Sequence, residues 1–250
     1  MLKDISYFLK KLIFSESTIL KKRILRSIKK PLEPELLIIS KLANKKKISI
    51  DVGVFRGVYS YMLSNHSKRV IGFEANPIMF NYLKTNLKKI VKNVELFNIA
   101  LSNHDGKCDL KVPLRNKSFF KSNFEDYYEG GMATIEKLNM FDGKKFDTFE
   151  VKTQKLDNFN FQSEIGFVKI DVEGHEQSVL EGSINTLKKY KPNLLIEIDR
   201  RYNPDINKTF KFLNDLGYNF YFYNKKKLVK ITSYEENYQK DFRNFIFLSK

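Results

Sequence analysis

The sequence lacks several features that would place it in particular classes of protein. It has no tryptophan and a single cysteine, Cys108, among its 250 residues. An intramolecular disulfide is therefore excluded, and the cysteine content is typical of a reducing compartment. No apolar run approaches the roughly 18–20 residues that span a bilayer, and no secretory signal pattern opens the chain. We expect a cytoplasmic protein, and the 42% hydrophobic fraction is enough for the core of one sizeable domain.

Acidic residues are also scarce relative to basic ones. The chain has 29 Asp and Glu against 45 Lys and Arg, a formal net charge of +16. Such an excess suggests a nucleic acid or an anionic membrane surface as partner. The alternative is a lysine-rich composition without a polyanionic partner. We favour it because the lysines are scattered, and basic runs such as 45–47 and 225–227 fall where surface loops are expected. We therefore expect no specific nucleic-acid partner.

Residues 1–30 have apolar side chains at helical spacing, with lysines and arginines between them. A basic amphipathic segment of this kind either lies on an anionic membrane surface or packs as a cap on its own domain. We favour the cap. The chain is then divided into an N-terminal helical extension, residues 1–45, and a main domain, residues 46–250. Peripheral membrane contact through residues 1–30 stays open.

The segment at residues 48–60 holds the first chemical signal. A short β-branched run ends at Asp51 and is followed by Gly53 and Gly57, and a glycine at a strand-to-helix turn lets the backbone approach a ligand. The spacing matches neither the dinucleotide fingerprint nor the phosphate-binding P-loop. An acid before the glycines would repel a pyrophosphate but suits a ligand with positive charge. S-adenosylmethionine, with its ammonium and sulfonium, is such a ligand.

Strand and helix patterns alternate from residue 48 onward. This predicts an α/β fold: a Rossmann-like, doubly wound, mostly parallel sheet of seven strands with helices on both faces. The runs 218–223 and 245–248 are expected to close it as an antiparallel pair. Asp105-Gly106 is expected to form a hairpin turn that joins the third strand to residues 108–112.

Ligands of such sheets bind beyond the carboxyl ends of the strands, near the switch in strand order. Asp51, Glu74 and the segment 98–100 each follow or end a predicted strand. We therefore expect them to meet at one edge of the sheet. That edge is the predicted binding site.

A second chemical signal follows the predicted strand at residues 167–172. Asp171, Glu173, Gly174, His175 and Glu176 are crowded at its end. Asp171, Glu173 and His175 are candidate general bases, and histidine has the best unperturbed pKa for the task. The alternative is structural: an acid at a helix start followed by a tight turn. We favour the functional interpretation for Asp171 and Glu173.

The same strand ends suggest a lesser alternative, a divalent metal. Carboxylate and imidazole ligands suit Mg²⁺ or Mn²⁺, and adjacent strand ends supply them. However, acids beside a cationic cofactor need no metal. The candidate ligands are Asp171, Glu173, His175, Glu197 and Asp199.

The sequence resembles the FkbM-type class I S-adenosylmethionine-dependent methyltransferases. Three stretches, in family order within residues 48–220, carry the resemblance: Asp51-Val52-Gly53-x3-Gly57-x-Tyr59-Ser60, Phe73-Glu74-Ala75-Asn76-Pro77 and Lys169-Ile170-Asp171-Val172-Glu173-Gly174-x-Glu176. The resemblance implies transfer of a methyl group from S-adenosylmethionine to an oxygen, commonly a hydroxyl of a sugar, glycan or other small metabolite. Acceptor choice would then lie in loops, here residues 115–145 and 200–208.

The resemblance also implies roles for individual residues. Glu74 would accept hydrogen bonds from the ribose hydroxyls, Asp51 and Gly53 would face the methionine half, and Asn98 and Ala100 would border the adenine. The full set of expected cofactor-binding residues is Asp51, Gly53, Gly57, Tyr59, Ser60, Glu74, Ala75, Asn76, Asn98, Ala100 and Asp171.

Two other functions stay open. The positive charge suggests an RNA methyltransferase, although no RNA-binding module is recognisable in the sequence. A non-catalytic cofactor-binding protein or membrane-associated scaffold is the second alternative. Glycines and acids at every expected strand end argue against it.

Overall fold

The computed structural model describes residues 13–114, 128, 130–136, 145–203 and 205–249. The first twelve residues of the amphipathic segment therefore lie outside the described residues, and the predicted acceptor loop at 115–145 is described only in part. Within the described ranges, no helix combines the length and the apolar character needed to cross a membrane.

Helices and strands alternate through most of the described chain. The helices are α1 Glu16–Lys29, α2 Ile39–Leu42, α3 Val58–Ser64, α4 Pro77–Ile90, α5 Glu176–Glu181, α6 Ile184–Tyr190 and α7 Ile206–Asp215. The strands are β1 Ile48–Val52, β2 Arg69–Phe73, β3 Val94–Phe97, β4 Ala100–Leu101, β5 Gly106–Pro113, β6 Phe146–Gln154, β7 Ile165–Ile170, β8 Asn193–Glu197, β9 Tyr218–Tyr223, β10 Leu228–Ile231 and β11 Asn244–Ser249.

The main sheet has the order β10-β9-β11-β8-β7-β1-β2-β3. Strands β8, β7, β1, β2 and β3 are parallel, and β11 pairs antiparallel with both β8 and β9. The predicted doubly wound, Rossmann-like sheet is confirmed, as is the closing antiparallel pair. The sheet has eight strands rather than seven, because the chain turns back after β9 and adds β10 as a hairpin at the edge.

The strand order reverses between β1 and β7. From β1 the chain proceeds outward through β2 and β3, and it later returns to β7 on the other side of β1 and proceeds outward through β8. The carboxyl ends of β1 and β7 therefore flank the topological switch point, where ligands bind in sheets of this kind.

A second, three-stranded sheet has the order β4-β6-β5. The predicted hairpin between the third strand and residues 108–112 is wrong, because β6 lies between β4 and β5 and pairs with both. The turn signal at Asp105-Gly106 is local, whereas the pairing is decided by apolar side chains from distant parts of the chain. The cluster that holds the three strands together includes Ala100, Leu110, Val112 and Val151.

Helix α1 packs on the main domain, against α3 and α4. Its inward side chains Ile19, Leu20 and Ile24 are buried, and the last two join the core between these helices and the sheet. Its N-terminus is capped by Ser15, whose hydroxyl accepts a hydrogen bond from the Thr18 amide. The described part of residues 1–30 thus forms a cap on its own domain. The division at residue 45 stays a prediction.

Candidate active site

The backbones of β1 and β7 make close contact where the two strands end. The Asp171 amide donates to the Val52 carbonyl at 3.1 Å. Gly53 follows at φ +80°, and a Cβ there would lie 1.9 Å from the Asp171 carbonyl oxygen. Only glycine allows both this conformation and this approach, so the two strand ends share one wall.

A cavity of about 230 Å³ lies at this edge. Six of the residues expected to bind the cofactor line it, as do two further candidates for the catalytic base. The six are Gly53, Glu74, Ala75, Asn76, Ala100 and Asp171, and the two are Glu173 and His175. The predicted convergence of strand ends therefore brings these eight residues to one site, although their individual roles stay predictions.

Five of the expected cofactor residues do not line this cavity, and one of the five, Tyr59, belongs to a second cavity described below. Asp51 is fully buried and accepts a hydrogen bond from the Ser60 hydroxyl at 2.6 Å. Gly57, at φ +73°, is the N-cap of α3. The side-chain amide of Asn98 donates to the backbone carbonyls of Glu74 and Ala75. The structure places Asp51, Ser60, Gly57 and Asn98 behind the wall, where they hold the loops that form it.

Glu74 holds the loop after β1. Its two carboxylate oxygens accept the backbone amides of Phe55 at 2.7 Å and Asn76 at 2.9 Å. Burial raises the pKa of Glu74 to about 7, although these two hydrogen bonds oppose the shift. Each carboxylate oxygen has a second lone pair, so Glu74 retains acceptor capacity toward the cavity.

Lys169 supplies a buried positive charge beneath the site. Its side chain is almost fully buried, and the ammonium donates to the Asp171 carboxylate at 2.7 Å and to the Gly53 carbonyl at 3.2 Å. It also lies 5.0 Å from the centre of the Tyr59 ring. Burial alone would lower the pKa of Lys169, but the charges of Asp171 and Asp51 raise it, so the residue stays a cation.

The sequence interpretation assigned no role to Lys169. It stands inside the quoted motif, two residues before Asp171, as the one charged residue of strand β7. A lone lysine within an otherwise apolar buried strand requires a carboxylate partner. That pattern could have identified it.

Two further carboxyl groups on the cavity wall hold their protons more tightly than usual. Burial, reinforced by the Asp171 charge, raises the pKa of Glu173 to about 8. Burial, followed by the charge of Asp171 and a hydrogen bond with it, raises the pKa of Glu197 to about 9. Among the described residues, five carboxyl groups line the cavity beside one buried ammonium, that of Lys169, although Arg201 also acts on Glu173. This excess of carboxyl groups favours a cationic ligand.

His175 connects the end of β7 with Ser102 and Glu136, two side chains to which the sequence interpretation assigned no role. Its Nδ1 lies 2.5 Å from a carboxylate oxygen of Glu136, and its Nε2 lies 2.9 Å from the Ser102 hydroxyl. Thr134 donates to the Glu173 carbonyl at 2.8 Å, so residues 130–136 are attached to the wall at two points. Because both ring nitrogens have partners, His175 can accept a substrate proton only by releasing one of them.

The proposed metal ligands do not assemble into a metal site. Among the described residues, no group of three or more His, Cys, Asp or Glu side chains is arranged to hold an ion. Asp171 is paired with Lys169, and Asp199 is paired with Arg201 and Arg243. These two carboxylates are therefore paired with cations of the chain itself.

A second cavity of about 620 Å³ adjoins the first. Both cavities are lined by Glu33, Gly53, Phe55 and Asp171, so they meet at the end of β1. Tyr59, the remaining expected cofactor residue, lines the second cavity and donates its hydroxyl to Glu33 at 2.6 Å.

Phe55 lies at the junction of the two cavities with φ +46°. This conformation is uncommon for a bulky residue and is maintained only where surrounding contacts impose it. Here the Phe55 amide donates to buried Glu74. The strained residue thus sits between the two spaces that a cofactor and an acceptor would need.

Residues 51–220 match the sequence model of a family described as the Methyltransferase FkbM domain. No curated protein matches the chain. Among solved structures, the chain is similar to the methyltransferase FkbM from Methylobacillus flagellatus KT, with 14% identity and a TM-score of 0.52 over 86% of this chain and 47% of that one. The chain thus spans about half the length of that protein.

The chain is also similar to a Streptococcus mutans protein described as a methyltransferase and solved in complex with S-adenosylhomocysteine. The identity is 12% and the TM-score 0.47, over 88% of this chain and 97% of that one. At identities this low, the similarities to solved structures are similarities of fold.

Proposed function

Because this chain belongs to the FkbM methyltransferase family, we propose that it transfers a methyl group from S-adenosylmethionine to a hydroxyl of a sugar, glycan or other small metabolite. The observation that supports this most directly is the excess of carboxyl groups around the first cavity. Asp171, Glu173 and Glu197 line it with Glu74, and Lys169 is the cation that pairs with Asp171 among the described residues. A sulfonium and an ammonium would supply the missing positive charge.

The residues present fit this cofactor. Glu74, with acceptor capacity left on both oxygens, suits a ribose diol. The glycine at position 53 leaves open the space that a Cβ would fill, and Ala75 and Ala100 are small apolar wall residues. The first cavity alone is smaller than the roughly 300–1,000 Å³ of typical ligand sites. We therefore expect the cofactor to extend past Phe55 to the junction with the second cavity.

When bound, S-adenosylmethionine supplies an electrophilic methyl group. The chain has to orient the acceptor hydroxyl and accept its proton. Glu173, whose raised pKa of about 8 lies close to the operating pH, is the base that we favour. Asp171, engaged with Lys169, and His175, engaged at both nitrogens, are the other candidates. The acceptor would occupy the second cavity, which meets the first at Gly53 and Phe55.

The raised carboxyl pKa values predict opposite pH trends for stability and cofactor affinity. Glu74, Glu173 and Glu197 have pKa values of about 7, 8 and 9 in the folded protein, against an ordinary value of 4.5. Between the ordinary pKa of 4.5 and these raised values, the folded state binds more protons than the unfolded state. The free energy of unfolding therefore falls as pH rises from about 4.5 to about 9. A cationic ligand favours the ionised carboxyls, so the affinity for S-adenosylmethionine should increase as pH rises over the same range.

Denaturant unfolding and calorimetry at a series of pH values test both trends. Calorimetry in buffers of different ionisation enthalpy should show proton release when S-adenosylmethionine binds. Release should be smaller with S-adenosylhomocysteine, whose sulfur is neutral. Affinity that falls with rising pH would contradict this account of the site.

The proposed function is tested first by titrating the purified protein with S-adenosylmethionine and S-adenosylhomocysteine. We expect micromolar binding of both. Glu74→Gln should weaken binding at least about tenfold, since a hydrogen bond to a charged group is worth about 1.5–3 kcal/mol. Exposed Glu150→Gln is the matched control and should bind as the unaltered chain does. A folded protein that binds neither compound would refute the function. With binding established, an acceptor screen would begin with sugars and glycolipids.

A further inference from the structure

The N-terminal face, defined as the exposed side chains of residues 13–41, has an unusual concentration of apolar groups. Seven large hydrophobic side chains are exposed in the described part of the chain, and five of them belong to this segment. The most exposed, Leu32, is 99% accessible. Exposed apolar groups concentrated in one place mark an interaction surface, whereas scattered ones are normal. The five are Ile13, Phe14, Leu25, Leu32 and Leu37.

The charges on the N-terminal face have one sign. Its carboxylates are turned inward: Glu16 and Glu33 are half-buried, and Glu35 is buried. The exposed charged residues of the segment are Lys21, Lys22, Arg26, Lys29, Lys30 and Lys41. The exposed charges of this face are therefore all positive.

The apolar and cationic groups occupy the same side of α1. Exposed positions recur at helical spacing opposite the buried Ile19, Leu20 and Ile24, so Leu25 projects among the cations. The Lys22 ammonium lies 3.4 Å from the centre of the Phe14 ring, which places Phe14 beside this stripe. Such a mixture is typical of helices that lie in a membrane interface.

The second cavity adjoins the N-terminal face. Its lining includes Arg26, Lys29 and Lys30 from the end of α1, together with Leu32. The same residues therefore form part of the face and part of the cavity wall. A surface that binds this face would lie next to the proposed acceptor cavity.

We propose that the N-terminal face binds the surface of an anionic phospholipid bilayer. The cations pair with lipid phosphates, and Leu25 and Leu32 enter the boundary between headgroups and acyl chains. A nucleic acid would use the cations but would leave these leucines in water, so the combination favours lipid. This binding goes beyond the proposed methyl transfer and requires no cofactor.

Sedimentation of the full chain with phosphatidylcholine vesicles, with and without phosphatidylglycerol, tests the proposal. We expect salt-sensitive binding only when phosphatidylglycerol is present. A five-site variant of the face should bind roughly tenfold or more weakly, because each basic residue near an anionic membrane contributes to the binding free energy. Its substitutions are Lys21→Gln, Lys22→Gln, Arg26→Gln, Lys29→Gln and Lys30→Gln. The control variant has the same net charge and should keep binding. Its substitutions are Lys188→Gln, Lys189→Gln, Lys225→Gln, Lys226→Gln and Lys227→Gln. Leu25→Ser with Leu32→Ser should weaken binding with all cations present.

Three results would overturn the proposal. The first is no binding to phosphatidylglycerol vesicles by the unaltered chain. The second is equal loss in the two five-site variants, which would assign binding to net charge. The third is that the unaltered chain binds a homopolymer RNA but no vesicles, and that the five-site variant of the face loses the RNA binding. This result would make the face a nucleic-acid surface. Calorimetry with S-adenosylmethionine on each variant reports separately on the proposed function.

Discussion

Gly53→Ala is expected to abolish cofactor binding and to destabilise the fold more than any other alanine substitution at a glycine with positive φ. An alanine at φ +80° costs about 1–2 kcal/mol from backbone sterics alone. The added Cβ would also lie 1.9 Å from the Asp171 carbonyl oxygen, and neither backbone can move without separating β1 from β7. The separation would displace Asp171 and the loop that ends at Phe55. Denaturant unfolding and titration with S-adenosylmethionine measure the two effects.

Gly217→Ala is a matched control for this experiment. Gly217 has nearly the same backbone angle, φ +81°, but the nearest atom to an added Cβ is the flexible Lys191 ammonium at 3.8 Å. The control should show the backbone cost alone and retain cofactor binding. If the two variants were equally stable and both bound the cofactor, the close contact of the strand ends would not be essential to the site.

Lys169→Met is expected to destabilise the protein by about 3–5 kcal/mol at neutral pH, the usual cost of removing one partner of a buried ion pair. The substitution would leave Asp171 without its counter-ion, and Asp51, whose pKa is already raised by burial, would lose the nearest opposing charge. Exposed Lys107, which pairs with Glu150 at the surface, provides the control. Lys107→Met should cost no more than about 1 kcal/mol.

The effect of Lys169→Met should also depend on pH. As pH falls, the neighbouring carboxyls become protonated and need no cation, so the difference between the variant and the unaltered chain should shrink. Unfolding curves measured from neutral to acidic pH test this. A variant as stable at neutral pH as Lys107→Met, or a difference that grows on acidification, would show that Lys169 does not compensate buried charge.

Local patterns predicted much of the architecture because strand and helix signals here are short-range. The runs expected to close the sheet, 218–223 and 245–248, are β9 and the greater part of β11, and they pair antiparallel as predicted. The ends of parallel strands must meet at one edge of a sheet, so Glu74 and Ala100 could be assigned to one edge before their contacts were known, and both line the first cavity. The hairpin at residues 105–106 failed because a local turn signal does not specify which distant strand will pair.

The residues that the sequence analysis placed against the cofactor fall into two groups, those that line the first cavity and those that do not. Alternation along a strand predicts which residues lie at its end, but not which side chains reach the cavity and which are covered. Asp51 illustrates this: it ends the first strand signal as expected, yet Ser60 and Lys169 enclose it. Glu136 and Ser102 contact His175 from 39 and 73 residues away, and no spacing rule connects them.

The sequence by itself determined the order of strands and helices, the glycines at strand ends and the carboxyl-rich edge, because these follow from local backbone preference and from periodic burial of apolar side chains. The tertiary structure alone decided that Asp171 is the carboxylate that pairs with Lys169, that His175 is held at both nitrogens and that a second cavity opens beside the N-terminal helix. Those features arise where segments far apart in sequence pack together. Burial and electrostatics there depend on all the packed segments and not on any one of them.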